Sequence, residues 1–103
     1  MILVNINYIP GKELEVLGMA KGGSIRAKHL GKDITSLLKN MVGGELTSYT
    51  EMMNESRALA TKRMVEEAEK LEADAVINIR YTSATVMQGA AEVLAYGTAV
   101  RFK

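Results

Sequence analysis

The sequence predicts a two-layer α+β domain: an antiparallel-leaning sheet carrying one short and one long helix. Three observations lead there. Apolar residues alternate with period two near both ends of the chain. They recur at three- and four-residue steps through its middle. Gly or Pro-Gly punctuation separates these segments. At 103 residues the chain fits one domain, residues 1–103, and its 48% hydrophobic and 24% charged residues are ordinary for a folded protein.

Ile2, Val4 and Ile6 alternate with Leu3, Asn5 and Asn7 as a short first strand, and Pro10-Gly11 then marks a turn. Glu13 to Ala20 reads as a second strand that Gly22-Gly23 ends. Leu30, Ile34, Leu37, Leu38 and Met41 predict a short helix, with Asp33 near its start and Gly43-Gly44 as its stop and the connection to the next helix.

The long helix follows. Ser48 and Glu51 have capping-box spacing. Tyr49, Met53, Ser56, Ala60, Met64 and Leu71 fall in one stripe whose small members allow close approach to a sheet. Glu67 lies almost on the stripe's centre, so it either projects past the sheet edge or meets a partner.

In the next strand Ala75, Ile77, Ile79 and Tyr81 face one way and Val76, Asn78, Arg80 and Thr82 the other; Gln88-Gly89 reads as the turn after it. The last strand has Leu94, Tyr96, Thr98, Val100 and Phe102 on one side and Val93, Ala95, Gly97 and Ala99 on the other. A sheet covered on one side shows a polar second face. This strand is apolar on both, one bulky and one small, so both faces are expected to be covered, the small one by a neighbouring subunit. A right-handed crossover leaves the final strand beside or between its predecessors.

A formal net charge of +1 argues against a nucleic-acid binder held by clustered phosphate contacts and against a polybasic membrane anchor. No apolar run approaches the ~20 residues of a membrane helix, and Lys12, Glu13 and Glu15 come too early for a signal-peptide core. The expected location is the cytoplasm. Without cysteine, disulfides, thiolate metal sites and cysteine nucleophiles are excluded.

Several segments taken together, ELEVLGMAKGG, SIRAKHLGKDITSLLKNMVGGEL, YTEMMNESRALATKRMVEEAEKL, ADAVINIRY and EVLAYGTAV, resemble the YbjQ-like family from about Leu14 onward. The resemblance implies a subunit similar to the dodecin fold, with a β-α-β-β core, assembled as a homopentameric ring, and a heavy-metal-binding description without an established function. Glu72 stands where the family usually has glycine before Ala-Asp-Ala-Val. If Glu72 takes the left-handed conformation that closes a helix, the cost is about 1 kcal/mol relative to glycine.

A metal ion is the cofactor that the resemblance implies. Zinc takes three or four protein ligands, and this chain has one histidine. His29 can build a site on a symmetry axis where five copies meet, or together with Glu45, Glu51 or Glu55; the simpler reading is a solvent-exposed loop histidine and ordinary surface carboxylates. Lys21, Arg26, Lys28 and Lys32 cluster with His29 in a Gly-bearing stretch feeding a helix N-terminus, a candidate small-anion site, with a solvated basic rim as the simpler alternative. No Walker-type or GxGxxG motif supports nucleotide binding, and His29, Asp33 and the serines form no catalytic motif. Tyr49, Tyr96 and the seven methionines are expected in packing or interfaces rather than as ligands. The sequence therefore predicts an oligomeric binding or scaffold protein without catalysis, and as the alternative a metal or small-anion binder with sites at subunit boundaries.

Overall fold

A computed structural model of the chain describes residues 1–27, 41–42, 45–87 and 90–103, with side chains described for all of these except 26–27, 41–42, 45–49 and 86–87. Its elements are β1 (Ile2–Leu3), β2 (Leu14–Ala27), β3 (Met41–Val42), β4 (Glu45–Leu46), α1 (Thr47–Lys70), β5 (Ala75–Met87) and β6 (Ala90–Phe102). The main sheet has the order β1-β5-β6-β2; β1 runs parallel to β5 and the other pairs are antiparallel. The final strand thus lies between its predecessors, as the crossover rule predicts.

The body of the short helix, 28–40, lies outside the described residues. Its expected last residue, Met41, does not: Met41 and Val42 pair antiparallel with Leu46 and Glu45. Gly43-Gly44 therefore separates two short strands rather than two helices.

Strand β2 runs through Gly22-Gly23 instead of ending there. The glycine serves contact rather than termination, because a Cβ on Gly22 would run into the backbone of α1 at Met64 N and Ala60 O. Helix α1 lies chiefly over β2 and β6 on a seam of small residues. Ala20, Ala60, Ala68, Ala91, Ala95 and Ala99 are all buried there around Met64 and Val93. Ser24 Oγ donates to Ser56 O across the seam at 2.8 Å.

The helix stripe holds at Met53, Ser56, Ala60 and Met64, which are buried, while Ala68 takes the place expected for Leu71. Leu71 is exposed, past the helix end. Ser48 sits inside a first turn that starts at Thr47, so the helix begins a residue or two before the expected cap.

At the other helix end the expectation about Glu72 is met. Its φ is 61°, and Ala73 N donates to Ala68 O at 3.1 Å while Glu72 N donates to Glu69 O at 2.9 Å. These are the paired bonds of a Schellman closure, with glutamate in the glycine position.

Strand β5 departs from simple alternation. Asn78 has φ 53°, and the register jumps from Ile77↔Thr98 to Arg80↔Tyr96. Ala75 and Ile77 face a small second core with Ile9 and Val100, whereas Ile79 joins the helix-side core and Tyr81 OH lies 2.7 Å from Thr61 Oγ1 on α1. Asparagine tolerates the left-handed conformation that a bulge of this kind needs. Gly97 lies opposite, where a Cβ would stand 2.7 Å from Val76 Cγ1 and 2.8 Å from Ile77 O.

The second core is closed by the N-terminal segment. β1 pairs with Ala75 and Val76, and backbone bonds continue from Ile79 N to Val4 O and from Asn78 N to Ile6 O. The chain then folds back so that Ile9 covers Ala75, Ile77 and Val100. Arg101 ties this end together: its Nε donates to Glu72 O at 3.3 Å and its guanidinium lies 3.5 Å from the Glu72 carboxylate and 3.7 Å from that of Glu15.

Candidate functional site

Cross-strand pairing sorts the sheet into two faces. On the α1 face lie Ala20, Gly22 and Ser24 of β2 opposite Gly97, Ala95 and Val93 of β6, all buried. On the other face lie Met19, Lys21, Gly23 and Ile25 opposite Thr98, Tyr96, Leu94 and Glu92. The expectation that a neighbour covers the small-residue face is corrected: the chain's own helix covers it, because only side chains this small admit a helix so close to the strands. The bulky face is the one left uncovered among the described residues beyond the reach of Ile9. There Leu94, Tyr96 and Thr98 are half-buried, while Val16, Met19 and Ile25 on the flanking edge strand are 68%, 72% and 63% exposed.

The predicted ligand residues are not brought together in what is described. His29, Lys28 and Lys32 lie outside the described residues, as does Asp33. Glu45 falls in β4 and Arg26 in β2, without described side chains. Glu51 and Glu55 are exposed on α1. Among the described residues no group of three or more His, Cys, Asp or Glu could hold a metal ion.

Lys21 is exposed and borders a cleft of ≈ 280 Å³ with Arg63, Glu66, Glu67 and Lys70. Its neighbours are already engaged. Arg63 donates to Gly23 O at 2.6 Å, and Glu67 pairs with Lys70 at 3.3 Å. Glu67, the residue that broke the helix stripe, thus lies at the margin of α1 in a mixed-charge rim. With carboxylates among its lining, this cleft does not concentrate positive charge for an anion.

A larger groove of ≈ 710 Å³ opens where β5 parts from the N-terminal segment. It is lined by Leu3, Ile6, Ile79 and Tyr81 with Arg80 as its charged member. Arg80 donates to Asn5 O and Ile79 O, both at 3.1 Å. Sequence reasoning missed this groove. The signal was Asn78, whose place in the middle of a strand marks the bulge that re-aims Ile79 to Tyr81.

Among the described residues no helix is long and apolar enough to cross a membrane. The fold is shared with a solved structure from Pediococcus pentosaceus, a protein of unknown function assigned to the DUF74 family; the TM-score is 0.70 at 14% identity, over 100% of this chain and 98% of that one. A UPF0145 protein of Alkaliphilus metalliredigens is 65% identical over 102 residues, 99% of each chain. One of Methanosarcina acetivorans is 58% identical, over 98% of this chain and 96% of that one. None of these names states a reaction. The family described as "Putative heavy-metal-binding" matches residues 1–103, the N-terminal strand segment included. The chain belongs to this YbjQ-like family, UPF0145.

Proposed function

We propose that the protein is a non-catalytic, cytoplasmic binding or scaffold module that works as a homo-oligomer, a ring of five dodecin-like subunits. The observation that carries this reading is the open bulky face, where Val16, Met19 and Ile25 project beside half-buried Leu94 and Tyr96. Side chains of this kind are strongly favoured to leave water, at roughly 25 cal/mol per Å² of apolar surface, and a contiguous exposed apolar patch marks an interaction site. The shape agrees. The described chain measures 54 × 25 × 16 Å, one helix layer thick on one sheet layer, with a radius of gyration of 16.9 Å. A compact domain of about 100 residues has about 13 Å.

Light scattering on the whole chain at low micromolar concentration tests this. A mass near five chains is expected, and a clean monomer refutes the assembly.

The family description favours one second reading, a metal or small-anion binder with its sites at subunit boundaries. The described residues of a single chain do not fit a metal centre, so His29 with Glu45 would have to act from several copies together; Lys21, Arg26, Lys28 and Lys32 would supply the anion site. Calorimetric titration with zinc, copper, nickel and phosphate, on the wild type and on His29→Ala and Lys28→Ala, decides it. Submicromolar metal binding lost in His29→Ala would replace the scaffold reading. Absence of heat with every ion leaves the scaffold reading in place.

A further inference from the structure

Among the exposed apolar side chains, two groups lie at opposite ends of the strand order, with Ile25 standing apart farther along β2. One surrounds the groove beside β1 and the middle of β5, with Leu3 39%, Ile6 42% and Tyr81 49% exposed. The other lies on the lower half of β2, where Val16 and Met19 stand out with Glu13 and Glu15 close by in the chain, both exposed. Strands β5 and β6 separate β1 from β2.

We infer that the groove of one copy seats the Glu13–Met19 edge of a second copy, in a contact that repeats head to tail. This rests on the assembly reading above and specifies its surfaces. Three observations select this occupant. First, a two-fold contact of either group with itself would bury that group and leave the other in water on both copies, whereas a heterologous contact covers both at every step. Second, the charges are complementary. Arg80 makes no ion pair among the described residues, and a guanidinium held by two carbonyls keeps further N–H groups to offer a carboxylate. Glu13 and Glu15 stand beside the apolar edge that would enter the groove; Glu15 has only a 3.7 Å contact with Arg101. Third, the upper half of the β2 edge is guarded, since Arg63 occupies Gly23 O. The lower half carries the bulge between Val16 and Gly18, which interrupts ladder pairing. The contact therefore rests on side chains rather than on a continued sheet.

The chain has no cysteine, so placed thiols report the contact cleanly. The variants Ile6→Cys, Met19→Cys and the double variant are treated with a short bismaleimide and run on a denaturing gel. Each single variant is expected to stay at the mass of one chain. The two co-expressed are expected to give a two-chain band and nothing larger. The double variant is expected to give a ladder of three chains or more. A single variant that links to itself overturns the inference, as does a double variant without a ladder when light scattering shows the wild type multimeric. A monomeric wild type instead takes down the assembly reading itself. Leu3→Cys with Val16→Cys serves as a second pair if circular dichroism shows the first unfolded.

Discussion

The two faces of the sheet use opposite means to leave water. The α1 face is built of Ala, Gly and Ser, and closes within one chain because a helix backbone settles almost onto the strands. The bulky face carries Met19, Ile25, Leu94 and Tyr96 and has nothing over it beyond Ile9 among the described residues. Apolar content alone does not distinguish the two. Side-chain size does: small residues mark where a chain covers itself, and large ones left at an edge strand mark where another body must come.

Substitutions should separate the faces by size of effect. The largest is expected at Gly22→Val, which drives a branched side chain into the backbone of α1. Overpacking commonly costs 1–3 kcal/mol, and a collision with backbone belongs at or above ~3 kcal/mol. Urea titration would show the loss, and a change below ~1 kcal/mol would mean that the helix sits farther from β2 than described. Met64→Ala follows, at ~2–5 kcal/mol for a fully buried side chain.

Glu72→Gly should act in the other direction. It relieves a left-handed glutamate while giving up an exposed ion pair worth little, for a net gain of ~0.5–1 kcal/mol. In a domain of this size that raises the melting temperature by a few degrees, about 4–8 °C per kcal/mol. The smallest effect on the fold is expected for Met19→Lys, within ~0.5 kcal/mol once subunits are dissociated. Its effect on the mass seen by light scattering should be large. A Met19→Lys protein that keeps the wild-type mass would show that the open face is not where copies meet.

Much of the fold was legible in the sequence. The long helix and the two C-terminal strands follow from periodicity within a few residues. The crossover rule put the last strand beside or between its predecessors, and the family's glycine at position 72 pointed to the left-handed Glu72. Three readings failed where the outcome depends on what packs opposite. Gly22-Gly23 looks like a terminator until a helix is laid over it. Gly43-Gly44 reads as a stop between helices, yet Met41-Val42 before it and Glu45-Leu46 after it are paired strands. The small face of β6 looks unoccupied until Ala60, Met64 and Ala68 are set against it. The groove was hidden for a related reason, because Asn78 changes which way its successors point without altering the composition of the strand. Of the candidate site, Lys21, Glu51 and Glu55 have described side chains; Lys21 lies in a rim of mixed charge, and the two carboxylates are exposed on α1.

The kink at Asn78 also governs which changes of length the gene can tolerate. Below it, β5 serves the pocket sealed by Ile9; above it, the same ribbon serves the helix. Removing the codon for Asn78 would leave Ile77 and Ile79 on opposite faces of an even zigzag and keep every later side chain where it stands, Tyr81 still beside Thr61. Removing any later codon of the ribbon would instead turn its successors over. Loss of a single residue should therefore be better tolerated at this point than elsewhere along the ribbon.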